Sequence, residues 1–119
     1  MDELSGLAAD SGEPIPTRLR ILAAAENLGV LRSVHHPVSW LAKRQFPHSR
    51  IYLYDHGFVL GHADGSALRL FRWGQITAKK AVGGYLIAGT DGCAFGLTRK
   101  WSGFAELEHA ITEGVQQPQ

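Results

Sequence analysis

Residues Ile51 to Trp73, IYLYDHGFVLGHADGSALRLFRW, carry the clearest structural signal in this chain of 119 residues. Runs rich in β-branched, aromatic and alternating apolar residues occupy 51–54, 58–60 and 68–73. Asp55-His56-Gly57 and Ala63-Asp64-Gly65-Ser66 separate them. An Asp-Gly pair between alternating runs indicates a hairpin, because the central turn positions favour positive φ. The stretch therefore predicts three consecutive antiparallel strands.

Strand signals continue on both sides of this stretch. Upstream, alternation from Leu28 to His35 predicts a strand that Pro37 ends. The mixed residues 38–49 predict a long loop with room for one helical turn. Downstream, strands are expected over 76–82, 85–88 and 93–97, with Gly83-Gly84 and Thr90-Asp91-Gly92 as turns.

Helical spacing marks both ends of the chain. Near the C-terminus, Ser102 is the expected N-cap of a helix. Its apolar stripe comprises Phe104, Leu107, Ile111 and Val115, while Glu106, His109 and Glu113 face away. Near the N-terminus, a short helix is predicted over 17–27, capped by Thr17 and stopped near Gly29.

The composition fits one globular domain. Hydrophobic residues make up 45% and charged residues 19%, and no apolar run approaches the ~20 residues of a membrane helix. We expect a flexible tail over 1–16, a short helix over 17–27, the domain over 28–115 and a frayed end over 116–119. The single cysteine, Cys93, and the lack of an export signal predict a cytoplasmic protein.

This order of elements predicts a mainly β (α+β) fold. A strongly bent antiparallel meander closed into a small barrel, with the C-terminal helix plugging one open end, would satisfy the strand edges and bury the apolar stripe.

Four segments resemble a family of uncharacterised bacterial pleckstrin-homology-like (PH-like) proteins that is common in actinobacteria. They are Leu28–Leu31, Ile51–Val59, Phe71–Ile76 and Phe104–Ile111. The resemblance covers about residues 28–115 and implies an antiparallel barrel of about seven strands capped by a C-terminal helix. These motifs are signatures of a fold and carry no chemistry.

The charge is unevenly distributed along the chain. Residues 32–100 carry ten Lys or Arg against three Asp, a net charge of +7, whereas residues 1–31 and 101–119 each carry −3. One interpretation is that the acidic ends neutralise the basic middle. The other is that the middle presents a basic face to a polyanion.

The resemblance points to the loop between the first two strands, which holds phosphate in eukaryotic pleckstrin-homology domains. It implies Lys43, Arg44 and Arg50 as phosphate-binding residues, with Arg69 or Arg72 from the neighbouring hairpin. In the same loop, Trp40, Leu41 and Phe46 could insert into a bilayer interface, a region that Trp prefers. The alternative is a solvated basic loop whose aromatic residues pack on the barrel.

Catalytic and metal-binding patterns are lacking. The histidines are scattered, and none of them pairs with another at helical i, i+4 spacing or with Cys93; they are His35, His36, His48, His56, His62 and His109. Asp55-His56 lies in a turn, where Asp is common for local backbone bonding. No serine stands in a Gly-x-Ser-x-Gly elbow, and no phosphate-binding glycine motif is present. The sequence thus predicts no enzyme, no metal and no cofactor.

These patterns predict a non-catalytic interaction module. The first hypothesis is binding of an unidentified protein, through an open sheet edge or the groove beside the C-terminal helix. The alternative is weak binding of anionic lipid or phosphate through the basic loop, which would make the protein peripheral to the membrane. No specific nucleic-acid partner is expected, because Tyr52, Tyr54 and Phe71 are predicted to lie in the core rather than on an exposed sheet face.

Overall fold

Two antiparallel sheets and three α-helices form the part of the chain that the computed structural model describes, residues 14–90, 92 and 94–116. The elements are α1 (Thr17–Ala25), β1 (Leu31–His35), α2 (Trp40–Gln45), β2 (Ser49–Tyr54), β3 (Gly57–His62), β4 (Arg69–Arg72), a 3₁₀ turn (Trp73–Gln75), β5 (Ile76–Ala81), β6 (Gly84–Gly89), β7 (Ala94–Thr98) and α3 (Phe104–Gln116). Most of the predicted tail, Asp91, Cys93 and residues 117–119 lie outside the described residues.

The strands confirm a mainly β fold. Sheet 1 has the order β1-β2-β3-β4 and sheet 2 the order β5-β6-β7, with every neighbouring pair antiparallel. Among the described strands, no hydrogen-bonded ladder joins the two sheets. An isolated bridge between Pro37 and Trp101 brings the chain after β1 to the chain after β7. The sheets are therefore not closed into the expected barrel.

The two predicted Asp-containing turns differ in length. Tyr54 pairs with Gly57, so Asp55-His56 forms a tight two-residue connection, as predicted. The Asp64-Gly65 connection instead spans residues 63–68, longer than the predicted turn. The reason is local bonding: Asp64 Oδ1 accepts from the Ser66 amide (2.9 Å) and hydroxyl (2.6 Å).

The inner core lies between the two sheets and α3. Its buried members are Ile51, Leu53, Phe58, Phe71, Trp73, Ile76, Ile87, Leu97, Leu107 and Ile111. Phe58 and Phe71 stack with ring centroids 4.7 Å apart. The predicted stripe of α3 is confirmed at Leu107 and Ile111, which are buried, while Phe104 and Val115 are only partly buried and pack against this core. Glu106, His109 and Glu113 are exposed, as predicted.

The predicted cap of α3 is wrong by one residue. The Gly103 carbonyl accepts from the amides of Glu106 (3.0 Å) and Leu107 (3.1 Å), so the helix starts from Gly103. The Ser102 hydroxyl accepts from the His36 amide at 3.0 Å and joins α3 to the end of β1.

A second core, the outer core, lies on the outer face of sheet 1, beneath α1. Its buried members are Ile15, Leu19, Ala23, Leu28, Leu31, Tyr52, Tyr54 and Val59. Burial of Ile15 means that the packed region begins before residue 17, where the predicted tail should have ended. This helix therefore belongs to the folded unit and makes sheet 1 the middle of three layers.

The ends of α1 also differ from expectation. Pro16 takes the cap position, and Thr17 is the first helical residue. At the other end the Leu28 amide donates to Ala23 O (3.0 Å) and the Asn27 amide to Ala24 O (3.2 Å), with Asn27 at φ 55°. This is a Schellman motif with Asn as the left-handed residue, so α1 stops before Gly29.

Candidate interaction surface

The connection between β1 and β2 contains the short helix α2, whose six residues are more than the one helical turn expected in the predicted loop. Ser39 caps it, because its hydroxyl accepts from the Ala42 amide at 3.1 Å. Ala42 is the buried residue of this helix. Lys43 and Arg44 lie in its last turn, where the helix dipole favours positive charge.

Large apolar side chains project outward around α2. The exposed fractions are 73% for Trp40, 49% for Phe46, 48% for Leu41 and 41% for Val38. Lys43 and Arg44 are exposed on the same helix. We call these six residues the α2 patch. Trp40 and Phe46 are thus exposed within a few residues of Lys43 and Arg44, and the aromatic rings do not pack fully on the sheets.

Positive charge dominates this part of the chain. Between Glu26 and Asp55 the sequence contains no Asp or Glu. Lys43 and Arg44 therefore have no acidic neighbour within their own connection.

The base of the α2 patch is fixed to the chain that follows β7. The Val38 amide donates to Lys100 O at 2.7 Å, and the Ser102 amide donates to His36 O at 2.8 Å. The Pro37–Trp101 bridge lies between these bonds. Helix α2 thus projects from a hydrogen-bonded base, which limits the entropy lost when its exposed side chains bind a partner.

The structure places Arg50 in a different role from the expected one. Its side chain is only 9% exposed. Nη1 donates to Pro47 O at 3.0 Å and to Ser49 O at 2.8 Å. Arg50 therefore holds the end of the β1–β2 connection and does not lie with Lys43 and Arg44 at the surface.

Arg69 and Arg72, the other two arginines predicted to bind phosphate, also lie apart from Lys43 and Arg44. Arg72 Nη2 pairs with Glu26 Oε1 at 2.9 Å and donates to Glu26 O, so it ties β4 to the end of α1. Arg69 begins β4 and lines a cleft between the two sheets. Of the five basic residues predicted to bind phosphate, Lys43 and Arg44 alone share the α2 patch.

This inter-sheet cleft has a volume of about 400 Å³ and opens beside α2. Ala42 and Phe46 form one side, and Phe95 and Trp101 the other. The sequence did not reveal the cleft, because its walls come from three separate stretches of the chain, within residues 37–49, 60–69 and 95–101. Trp101, an aromatic residue between two turns, was the one feature of the sequence that could have indicated the cleft.

His35 is the most buried histidine of the described chain, with 2% of its surface exposed. Its Nδ1 contacts Ser102 O at 2.6 Å, and its Nε2 contacts the Ser33 hydroxyl at 2.7 Å. A carbonyl can only accept, so Nδ1 carries the proton and Nε2 accepts from Ser33. Burial lowers the pKa of His35, although the Ser102 carbonyl opposes this shift.

A serine hydroxyl bonded to a histidine ring, as in the Ser33–His35 pair, also occurs in nucleophilic active sites. Here the surroundings of the pair indicate a structural role. Both ring nitrogens are already bonded, and the ring is closed off from solvent. The pair joins β1 to the start of α3 through Ser102, which accounts for its burial.

Asp55 likewise has a structural role. Its Oδ2 accepts from the Val30 amide at 2.9 Å, and its Oδ1 accepts from Arg32 Nη1 at 2.6 Å. The Val30 hydrogen bond is the main reason that the pKa of Asp55 is lowered, with a smaller contribution from Arg32. The neighbouring His56 is exposed, and its amide donates to Leu28 O.

The described residues contain neither a group of metal-binding side chains nor a membrane-spanning helix. Across residues 14–90, 92 and 94–116, no three His, Cys, Asp or Glu side chains come together in a way that could hold a metal ion. Within the same ranges, each helix is too short or too polar to cross a membrane.

Comparison with known proteins gives no match. No protein-family model matches the chain, and neither a curated protein nor a solved structure matches it significantly. Function must therefore be inferred from the chain's own geometry.

Proposed function

We propose that this protein is a non-catalytic PH-like interaction domain that binds anionic membrane surfaces weakly and reversibly through the α2 patch. The number of described strands and the helix that follows them support a PH-like assignment, since the resemblance implies about seven strands and a C-terminal helix. The closed barrel that the resemblance also implies is not formed, because the sheets of four and three strands stay separate.

The observation that carries the proposal is the exposure of Trp40. An indole that is 73% exposed costs free energy in water, because its large apolar surface stays hydrated. Leu41 and Phe46 are about half exposed close by. Trp is favoured at membrane interfaces, where its ring meets acyl chains and its N–H meets headgroups.

The adjacent cations add an electrostatic attraction. Each Lys or Arg near an anionic membrane is worth about 1 kcal/mol at physiological salt, so Lys43 and Arg44 together contribute about 2 kcal/mol. This is too little for permanent anchoring. The apolar side chains must supply the remainder, and binding should weaken as salt is added.

The surfaces named in the protein-binding hypothesis fit a partner less well. One of the two outer strands of sheet 2, β5, carries Lys79 and Lys80, and lysines on an edge discourage strand addition. The groove beside α3 is lined by charged groups that include Arg32, Asp55, Glu106 and Glu113. Neither presents an exposed aromatic side chain comparable to Trp40.

Vesicle co-sedimentation tests the proposal. We expect the protein to sediment with phosphatidylglycerol-containing vesicles at low salt and to be released at high salt, with little sedimentation on neutral phosphatidylcholine vesicles. Lys43→Glu/Arg44→Glu should abolish the binding. Lys79→Glu/Lys80→Glu changes the charge equally on exposed lysines of β5 and is the matched control.

One further variant tests the apolar part. Trp40→Ser should weaken binding, while its fold, checked by circular dichroism, should be unchanged because the ring is exposed. Failure of the wild type to bind anionic vesicles at low salt would refute the proposal and leave protein binding as the remaining hypothesis. Equal loss with both double mutants would refute the assignment to the α2 patch.

A further inference from the structure

The inter-sheet cleft has the size and lining of a small-molecule site. Its volume of about 400 Å³ falls within the range of roughly 300–1,000 Å³ that is usual for ligand pockets. Apolar groups dominate its walls, and they come from Pro37, Ala42, Phe46, Leu60, Phe95 and Trp101.

The ionisable side chains among the described residues that line the cleft are all basic. They are His62, Arg69 and Lys100, and no described Asp or Glu lines the cleft. An apolar space bordered by basic groups alone favours a ligand with an apolar body and an anionic end.

The wall of the cleft is held in place by packing that does not depend on a ligand. The rings of Phe95 and Trp101 meet edge to face, with centroids 6.3 Å apart. Phe95 also lies 6.3 Å from the Phe58 ring of the inner core. Trp101 is held further by its bridge to Pro37. A preformed apolar site of this kind binds without a large ordering cost.

We propose that the inter-sheet cleft binds a small free amphiphile that has one anionic group, with its apolar part against Phe95 and Trp101 and its anionic group toward Lys100. The site is distinct from the exposed side of α2 and does not require membrane binding, although Phe46 contributes to both. It would remain if the α2 patch bound nothing.

Decanoate, used below its micelle-forming concentration, is a suitable probe. We expect it to change the fluorescence of Trp101 in a saturable way, and Trp101→Phe should remove that signal. Decanol, which has the same chain without the charge, should bind more weakly. In an amide NMR titration, decanoate should shift Gly61, Gly96 and Trp101, which line the cleft.

Lys100→Gln should weaken decanoate binding by about threefold to fivefold, the size expected of one partly exposed ion pair, and leave decanol binding unchanged. Lys79→Gln, an exposed lysine outside the cleft, is the matched control and should have no effect. Absence of saturable binding would overturn the proposal. So would equal binding of decanol and decanoate, or shifts confined to Val38–Leu41. A response to phospholipid vesicles but not to free decanoate would also overturn it, without affecting the proposal for the α2 patch.

Discussion

Gly114 of α3 lies directly against the indole ring of Trp73. A Cβ atom on residue 114 would stand 2.5 Å from Trp73 Cδ2, closer than carbon atoms normally approach. Trp73 Nε1 also donates to Asp55 O at 3.0 Å. The ring thus joins α3 to the β2–β3 turn, and the missing side chain at 114 lets the helix come close enough to cover the inner core.

Gly114→Ala tests this close approach. In an open helix, Gly→Ala is stabilising by about 1 kcal/mol. Here the added methyl group must displace either α3 or the indole, so we expect a net loss of about 1–3 kcal/mol in the free energy of unfolding, measured with urea. Gly96→Ala is the control, because a Cβ there meets nothing within 4 Å. Stabilisation by Gly114→Ala would contradict this packing.

His35 should make stability depend on pH. Its pKa in the folded protein lies below the ordinary value of 6.5, so the unfolded chain binds the proton more readily. The free energy of unfolding should be highest above 6.5 and should fall as the pH drops through 6.5 toward the folded-state pKa. His35→Gln should reduce this slope in urea titrations. An NMR titration in which the His35 ring gained its proton at or above 6.5 would contradict the assignment.

Tyr54 should lose its proton at a higher pH than an exposed tyrosine does. Burial raises the pKa of Tyr54 to about 12 from an ordinary 10.0. The difference in absorbance at about 295 nm between wild type and Tyr54→Phe should therefore rise near pH 12 while the fold persists. Because the unfolded chain loses this proton first, stability should be unaffected below pH 10 and fall above it. Tyr54 ionisation near 10 in the folded protein would show that the outer core is open to water.

Asp55→Ala should destabilise the fold by about 1–3 kcal/mol, because it removes the hydrogen bond that the charged carboxylate accepts from the Val30 amide. Arg32→Ala should cost less than about 1 kcal/mol, since the Arg32 side chain is 61% exposed. The lowered pKa of Asp55 means that its contribution is present above the ordinary value of 3.8 and is lost as the pH falls toward the folded-state pKa. Unfolding in urea at neutral pH measures both losses of stability. If Arg32→Ala lowered the free energy of unfolding as much as Asp55→Ala, this ranking would be contradicted.

The two cores should respond independently to truncation. Leu19 lies in the outer core and Leu107 in the inner core, and both are fully buried. We expect Leu19→Ala and Leu107→Ala each to cost about 2–5 kcal/mol. In the double mutant the losses should add to within about 0.5 kcal/mol, because sheet 1 separates the sites. If the double mutant does not fold, Leu19→Val combined with Leu107→Val gives the same comparison with a smaller loss in the free energy of unfolding.

Local sequence signals located most of the secondary structure. Alternation placed the strands to within a few residues, and the spacing of Leu107 and Ile111 gave the buried face of α3. These signals are reliable because side-chain direction follows the backbone period. Turn chemistry was harder to predict, since the Asp64 side chain bonds to Ser66 and lengthens the β3–β4 connection.

The candidate site was only partly visible in the sequence. The proximity of Trp40 and Phe46 to Lys43 and Arg44 follows from their separation of a few residues. The burial of Arg50 could not be predicted, because a basic residue beside a loop looks the same whether its guanidinium meets water or carbonyl groups.

The sequence by itself determined three features, because each depends on residues that are close in sequence. They are the order of the strands, the apolar stripe of α3 and the concentration of positive charge between residues 32 and 100. Three features required the folded molecule: the layer of α1 over sheet 1, the open arrangement of the two sheets, and the cleft between Phe46 and Trp101. The physical reason is that an apolar face predicts burial but does not determine which segment of the chain will cover it. Tyr52 and Ile51 both had to be buried, but the side of the sheet that received α1 was fixed by packing between distant segments.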